Sequence, residues 1–227
     1  MEHSDHALWK LLGVLYKPHP WHGVSPGSDA PSVLQCFVEV VPADTVKYEI
    51  DKVSGYLKLD RPQKYSSICP ALYGFVPQTL CADRIAEFSS QRTGRVLEGD
   101  GDPLDICILT DRPIHHGNLL VDCIPIGGLR MVDQNEADDK IIAVLKDDAS
   151  YGSVKDIQQV ARPIIDRLRH YFLSYKQSPD LDLPTCEITH IYGREEAHEV
   201  VMRSLSDYQE RFGSIEDMLS EALVATR

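Results

Sequence analysis

Three aspartates, Asp100, Asp102 and Asp105, lie within the segment GDGDPLDICIL, which covers residues 99–109. In extended chain, side chains two positions apart project to the same side, and Pro103 then bends the path before an apolar run. Ionised carboxylates this close repel one another, so either solvent screens them, or one is protonated, or a cation lies among them. Because oxygen ligands select hard ions, the cation to expect is Mg²⁺ or Mn²⁺ rather than zinc. The segment is therefore a candidate metal site.

A calcium-binding loop is the alternative that the same segment allows us to test. An EF-hand loop starting at Asp100 needs Asp or Asn at its fifth position, Gly at its sixth and Glu at its twelfth. Those positions hold Leu104, Asp105 and Asp111, and Pro103 is awkward inside such a loop. We therefore reject a calcium-binding structural protein.

A second acidic cluster lies in MVDQNEADDK, residues 131–140, between two predicted strands. It contains Asp133, Asp138 and Asp139, which Lys140 follows. On its own, such a cluster indicates a solvated loop. Two groups of carboxylates at strand ends on one face of a barrel could instead hold two or more metal ions.

Basic side chains complete the set of residues that could do chemistry: Lys47, Arg61, Lys140 and Lys176. Each of them alone is typical of a surface charge. Arginine offers a planar fork that fits phosphate oxygens, and lysine offers a movable point charge. Together with metal ions, these cations predict a site for a small, highly charged anion.

The overall charge argues against a nucleic-acid partner, because the chain carries a formal net charge of −12 and duplex-binding proteins show the opposite balance. We find no secretory signal and no apolar segment long enough to cross a bilayer, so we expect a cytoplasmic protein without a membrane partner. The cysteines form no CxxC pair and are expected as reduced thiols rather than zinc ligands. They are Cys36, Cys69, Cys81, Cys107, Cys123 and Cys186.

The elements that must position these residues change along the chain. Residues 1–32 are rich in Pro, Gly and Ser and predict an appendage, whose short apolar run could form a helix. From residue 33 the pattern alternates with period two, and the predicted strands include a hairpin that turns at Gly55. Short strands separated by Pro and Gly favour a small antiparallel barrel over a parallel α/β sheet. The histidines of the appendage are expected to be exposed in a mobile arm rather than to bind metal; they are His3, His6, His19 and His22.

The last third of the chain predicts helices. Pro163 suits the first turn of a helix over 163–176, where apolar residues recur at steps of three and four. A second helix is predicted over 195–213 and a third over 215–225. The polar, aperiodic residues 81–99 predict instead an exposed loop or a hairpin insertion.

The order and spacing of the motifs form the most specific pattern in the chain. They are KYEID (47–51), LDR (59–61), YGFVPQTL (73–80), DGDPLDI (100–106), RMVDQNEADDK (130–140) and YK (175–176). Together they resemble soluble inorganic pyrophosphatase, family I, and the resemblance covers residues 33 to about 180. The D-G-D-P-x-D element is highly specific when it occurs together with the other motifs.

The resemblance implies a mainly β protein with flanking α-helices, built on a small five-stranded OB-like antiparallel barrel plus C-terminal helices. It divides the chain into an N-terminal extension (1–32), a catalytic barrel domain (33–180) with the loop insertion 81–99, and a C-terminal helical extension (181–227) packed on the same domain. It also implies hydrolysis of pyrophosphate to two orthophosphates with Mg²⁺, or with another divalent ion such as Mn²⁺. Members of the family commonly form homo-oligomers.

Carried over by position, the resemblance implies a role for each candidate residue. Asp102 would be the general base or the carboxylate that orients the attacking water. The metal ligands would be Asp100, Asp105, Asp133 and Asp138. The phosphate ligands would be Lys47, Arg61, Tyr73, Lys140, Tyr175 and Lys176. Glu39 and Glu49 match acidic positions at the edge of the site.

Two positions depart from the family pattern and predict a less polar corner near the substrate. Cys69 stands where the family generally has tyrosine, and Leu72 where asparagine is usual. They keep open a non-catalytic module that binds a phosphorylated ligand. The long 81–99 segment keeps open a hydrolase for longer polyphosphates or nucleotides.

Overall fold

A computed structural model describes residues 17–177 and 186–213 of the chain. The predicted helix over 215–225, the apolar run near the N-terminus, and His3 and His6 lie outside these residues. The strands are β1 (Leu34–Val40), β2 (Val46–Ile50), β3 (Leu57–Pro62), β4 (Leu72–Phe75), β5 (Glu98–Gly99), β6 (Asp105–Leu109), β7 (Leu119–Asp133), β8 (Glu136–Ala137), β9 (Lys140–Leu145) and β10 (Cys186–Gly193). The α-helices are α1 (Asp83–Thr93), α2 (Arg162–Ser174) and α3 (Arg194–Phe212), and a short 3₁₀ helix covers Ile157–Gln159.

Five strands form a closed ring in the order β1, β4, β6, β9 and β7, and β7 pairs again with β1. The predicted small barrel is thus confirmed, but its description as antiparallel is wrong at one pair. β6 and β9 run parallel, with Asp105 opposite Lys140, whereas the other four pairs of the ring are antiparallel. The reason is geometric, because strand direction cannot alternate all the way around a ring with an odd number of strands.

The predicted hairpin is present as β2 and β3, which form a separate two-stranded sheet. Gly55 in its turn has a φ of +72°, in the left-handed region that favours glycine. The antiparallel register places Lys47 directly opposite Arg61. The hairpin therefore brings two of the predicted phosphate-binding cations side by side.

The interpretation of residues 81–99 as a loop or hairpin is wrong, because most of this segment forms α1. Its buried face consists of Ile85, Ala86, Phe88 and Ser89, a stripe too short and too polar to register as a period. The start of the helix depends on α3, since Asp207 accepts hydrogen bonds from the backbone N–H groups of Ala82, Arg84 and Ile85 at 3.0–3.2 Å. Because Asp207 lies more than a hundred residues further along the chain, local sequence does not reveal that it caps this helix.

Helices α2 and α3 begin and end within about two residues of the predicted bounds. Strand β10, which pairs with β7, was not predicted, because most of its residues are partly exposed and show no clean alternation. Helix α3 packs against β7 and α1. Within residues 17–177 and 186–213, no helix is long and apolar enough to cross a membrane.

The described part of the N-terminal arm is anchored on the barrel. Trp21 is buried and its Nε1 donates to the carbonyl oxygen of Thr79 at 2.8 Å. His22 stacks on Trp21 and lies 2.8 Å from the hydroxyl of Tyr208 on α3. The expectation that His19 and His22 are exposed is therefore wrong, since both residues are partly buried and the His19 ring lies against that of His22.

Protonation of His22 is expected to weaken the fold in mild acid. Burial, reinforced by the neighbouring His19, lowers the pKa of His22 to about 4. The unfolded chain takes up this proton below about pH 6.5, and the folded chain does not. The stability that the neutral His22 ring contributes is therefore fully present above pH 6.5 and is lost as the pH falls toward 4. Because the ring is only half-buried, we expect a loss of about 1 kcal/mol between pH 7 and pH 5.

Urea unfolding at pH 7 and pH 5 measures this effect. His22→Gln should reduce the loss of unfolding free energy on acidification, while the exposed His116→Gln should leave it at the wild-type value. An equal loss in the wild type and in His22→Gln would assign the acid sensitivity to other groups.

Candidate active site

One pocket of about 200 Å³ collects the predicted site residues. It lies between the β2–β3 hairpin, the residues that precede β6, the β8–β9 link and the end of α2. All thirteen candidates line it: Glu39, Lys47, Glu49, Arg61, Tyr73, Asp100, Asp102, Asp105, Asp133, Asp138, Lys140, Tyr175 and Lys176. Their placement is an observation of the structure, whereas their individual roles stay predictions.

The parallel pairing of β6 with β9 brings the two acidic clusters together. Lys140 is 2% exposed, and its Nζ donates to Asp105 of the first cluster and to Asp138 of the second. The hydroxyl of Tyr73, on the neighbouring strand β4, donates to the same Asp105 carboxylate at 2.5 Å. The two clusters are therefore adjacent and share one buried ammonium group.

The tight turn before β6 orients Asp102. The backbone N–H of Asp102 donates to Oδ1 of Asp100 at 2.9 Å, and its carbonyl oxygen accepts from the N–H of Cys81 at 2.8 Å. Its carboxylate accepts a hydrogen bond from Lys52 in the turn of the hairpin. Asp102 is thus held from behind by backbone contacts while its side chain faces the pocket.

Asp133 lies at the end of β7 and meets the segment that follows α2. Lys176 donates to Oδ2 of Asp133, and the Lys176 ammonium lies 5.4 Å from the centre of the Tyr175 ring. Oδ1 of Asp133 is buried and has no hydrogen-bond partner among the described residues. A buried carboxylate oxygen without a partner is costly, so this atom is suited to a ligand from outside the chain.

Crowding and burial disfavour the charged form of several of these acids. Burial, followed by repulsion from Asp138, raises the pKa of Asp100 to about 8. Burial also raises the pKa of Asp105, although Lys140 opposes the shift. Burial raises the pKa of Glu39 to about 8, although its carboxylate accepts the N–H of Ile50 at 2.6 Å. The pocket lacks enough positive charge for all its carboxylates, since eight acidic and five basic side chains line it.

The two cations of the hairpin are paired with acids in the same sheet. Lys47 lies 3.1 Å from Glu49 and 3.4 Å from Asp60, and Arg61 donates to Asp60. These side chains are between one fifth and two fifths exposed, so solvent weakens the pairs and an incoming anion can compete for the cations.

Three side chains at the pocket were missed from sequence. Lys52 and Glu136 line it, and Asp60 contacts both Lys47 and Arg61. Asp60 lies inside the quoted LDR motif and Lys52 directly follows KYEID, so both could have been found by asking which neighbours share the hairpin. Glu136 also lies inside a quoted motif, RMVDQNEADDK, but its place at the pocket depends on the β7–β8 turn.

The residues fit divalent metal ions by their donor chemistry, although not in the arrangement seen here. Within the described ranges, no three acidic, histidine or cysteine side chains are placed to hold one metal ion together. Lysine ammonium groups lie between Asp105 and Asp138 and beside Asp133. The donors are all oxygens and Oδ1 of Asp133 lacks a partner, which suits Mg²⁺ once the lysines turn toward an anion.

The predicted less polar corner lies outside the pocket. Cys69 is fully buried among apolar side chains, and Leu72 is 1% exposed in the core. Neither residue lines the pocket. The two departures therefore give no support to a non-catalytic module, since they leave the polar residues of the pocket unchanged.

This five-stranded barrel is the soluble pyrophosphatase fold. The structure of inorganic pyrophosphatase from Thermus thermophilus superimposes with a TM-score of 0.71 at 29% identity, over 84% of this chain and 99% of that one. The inorganic pyrophosphatase of Chlamydia trachomatis serovar D is 48% identical over 195 residues, which are 84% of this chain and 93% of that relative. Soluble inorganic pyrophosphatase 2 of Chlamydomonas reinhardtii is 37% identical over 194 residues, 86% of this chain and 90% of the relative.

The family model described as inorganic pyrophosphatase matches residues 36–209, which include the ring of strands except for the first two residues of β1, and most of α3. The chain belongs to the inorganic pyrophosphatase family.

Proposed function

We propose that the chain hydrolyses inorganic pyrophosphate to two orthophosphates, with divalent metal ions held by the pocket. The observation that carries this proposal is the meeting of the two acidic clusters at Lys140, in a pocket that also contains the hairpin cations. Pyrophosphate is a small polyanion, so a site for it needs positive charge from both metal ions and basic side chains. Family membership agrees with this chemistry.

Asp100, Asp105, Asp133 and Asp138 are the proposed ligands of Mg²⁺, or of Mn²⁺ in its place. A divalent ion held there would supply positive charge to phosphate oxygens and would lower the pKa of a bound water. For an ion to bind, the Lys140 ammonium must move away from at least one of its two carboxylates. The positive charge of the ion would then replace that of the ammonium. The raised pKa of Asp100 indicates a carboxylate whose charged form a nearby cation would stabilise.

Asp102 is the proposed general base. Its backbone contacts to Asp100 and Cys81 hold the carboxylate at the pocket, where it can accept the proton of the attacking water. Lys52 donates to this carboxylate and is exposed enough to move aside when substrate enters. A carboxylate held in place at the pocket meets the geometric requirement for this proton transfer.

The proposed phosphate ligands form two groups. Lys140, Tyr175 and Lys176 are proposed to contact one phosphoryl group. Lys47 and Arg61 are proposed to take up charge on the other, and their exposure leaves them accessible to it. The remaining predicted phosphate ligand, Tyr73, donates its hydroxyl to Asp105 in the structure. Glu39 accepts the N–H of Ile50 and Glu49 pairs with Lys47, so both acids support the hairpin that carries the cations.

Phosphate release from a panel of substrates tests the proposal. With Mg²⁺ present, pyrophosphate should be hydrolysed far faster than tripolyphosphate, longer polyphosphate or ATP. Preference for a longer substrate would favour a polyphosphate or nucleotide hydrolase. Binding of pyrophosphate without phosphate release would favour a non-catalytic module, and either result would contradict the proposal.

Arg61→Ala is expected to lower kcat/KM for pyrophosphate by roughly tenfold to a hundredfold. The basis is the loss of one charge-assisted contact to the leaving phosphate, typically worth about 1.5–3 kcal/mol. Arg61→Lys should recover part of this loss, because it restores the charge without the fork. Steady-state kinetics of the three proteins checks the prediction, and unchanged values in Arg61→Ala would remove this residue from substrate binding.

The family resemblance also predicts a homo-oligomer, and the thiols agree with the predicted cytoplasmic location. All six cysteines lie within the described residues, and no disulfide joins any of them there. Every one of them is buried.

A further inference from the structure

Behind the pocket lies a buried charged cluster that the proposed mechanism does not use. It consists of Arg130 on β7, Asp139 in the link between β8 and β9, Tyr192 on β10 and Glu196 on α3. The side chains of Arg130 and Asp139 are completely buried. Buried charges are rare unless they are paired, so this cluster needs an explanation.

The contacts within the cluster converge on Asp139 and Arg130. Nε of Arg130 lies 3.1 Å from Oδ1 of Asp139, an ion pair without hydrogen-bond geometry. Oδ2 of Asp139 accepts from the hydroxyl of Tyr192 at 3.1 Å. The remaining nitrogens of the guanidinium donate to Glu196 at 3.0 Å and to the hydroxyl of Ser89 on α1 at 3.0 Å.

Aromatic rings enclose the guanidinium of Arg130. Its Cζ lies 4.9 Å from the centre of the Phe88 ring and 5.1 Å from that of Tyr192. The Tyr192 ring reaches this place only because residue 128 is glycine, since a Cβ there would lie 2.4 Å from the tyrosine hydroxyl. Arg130 is thus fixed by charge, hydrogen bonds and stacking at once.

The position of Asp139 in the chain links this cluster to the pocket. Its neighbours Asp138 and Lys140 both line the pocket, whereas Asp139, Arg130 and Tyr192 do not. The Asp139 side chain is therefore directed away from the pocket while the residues on either side are directed into it. Contacts that fix the Asp139 carboxylate therefore also fix the backbone on either side of it. That backbone carries Asp138, a proposed metal ligand, and Lys140, a proposed phosphate ligand.

We propose that Arg130 and Tyr192 are positioning residues, which hold the Asp139 carboxylate behind the sheet and thereby set Asp138 and Lys140 in the pocket. This inference rests on the proposed metal site. Groups that orient metal ligands from behind typically change metal affinity or activity by about 10–100-fold when removed. Helix α3 takes part through Glu196, so the region outside the barrel contributes to the site.

Asp139→Asn tests the inference, because it preserves shape and removes the charge. Titration calorimetry with Mg²⁺ alone should show binding weakened by about 10–100-fold, and kcat should fall more than KM for pyrophosphate rises. Tyr192→Phe keeps the ring beside Arg130 and removes only the hydroxyl, so we expect binding weakened by roughly threefold. If Asp139→Asn does not fold, Tyr192→Phe decides the matter.

Asp148→Asn is the matched control for a merely structural role. Asp148 is also buried and accepts hydrogen bonds from Thr110 at 2.8 Å and from the N–H of Tyr151 at 2.9 Å, yet it does not line the pocket. The control should lose stability and keep the wild-type Mg²⁺ affinity. Wild-type affinity in both Asp139→Asn and Tyr192→Phe would overturn the inference alone. A wild-type chain that binds no Mg²⁺ would overturn the proposed metal site with it.

Discussion

Replacing Asp102 with asparagine should reduce turnover of pyrophosphate by roughly a hundredfold or more, the usual cost of losing a general base. The amide has nearly the same shape and cannot accept the proton of the attacking water. The fold should persist, because the backbone contacts of this residue to Asp100 and Cys81 do not involve the carboxylate of Asp102. Mg²⁺ affinity should also change little, since the proposed ligands are retained.

Asp122→Asn is the matched control for this prediction. It removes the same charge from a half-exposed side chain on β7, whose nearest cation is Lys146 at 3.9 Å, outside the pocket. Phosphate release under saturating pyrophosphate and Mg²⁺ compares the two variants. Near-normal turnover of Asp102→Asn would assign the proton transfer to another group, and a similar loss in the control would point to a general charge effect.

Lys140→Met should have the largest effect on stability of any change in the pocket. The ammonium is buried and bonded to both Asp105 and Asp138, so its loss leaves two crowded carboxylates without a cation. Removing one partner of a buried pair costs about 3 kcal/mol or more. We expect the free energy of unfolding in metal-free buffer to fall by about that amount, and turnover to fall about a hundredfold because a phosphate contact is lost.

The response to Mg²⁺ distinguishes this account of Lys140 from simple loss of packing. A divalent ion between the carboxylates would supply the missing charge, so Mg²⁺ should raise the melting temperature of Lys140→Met more than that of the wild type. Lys146→Met removes an exposed lysine that directly follows β9, and it should show the wild-type response. Equal stabilisation of all three proteins would contradict the shared site.

Most residues of the pocket could be predicted because they lie in short motifs whose side chains carry the chemistry. The strands of the ring could be predicted for a related reason, since alternation is a local property, whereas β10 shows no clean alternation. Their closure into a ring with one parallel pair depends on the count of strands and on contacts between distant residues. The adjacency of Asp105 and Lys140 across β6 and β9 is therefore visible only in the fold.

The elements that escaped prediction are those held by distant partners. Helix α1 has a short apolar face and receives its N-terminal hydrogen-bond acceptor from Asp207. Arg130 is a charged residue in the middle of a strand, where local sequence predicts exposure. Its burial follows from the meeting of Asp139, Tyr192 and Glu196, which belong to three separate elements.

The central claim is that metal ions join the two acidic clusters in one site, and anomalous scattering from crystals grown with Mn²⁺ measures this directly. We predict ions within about 2.5 Å of carboxylate oxygens from both clusters, Asp100 or Asp105 on one side and Asp133 or Asp138 on the other. Lys140 should then have withdrawn from at least one carboxylate. Ions that contact only one cluster, or that bind outside the pocket, would contradict the account.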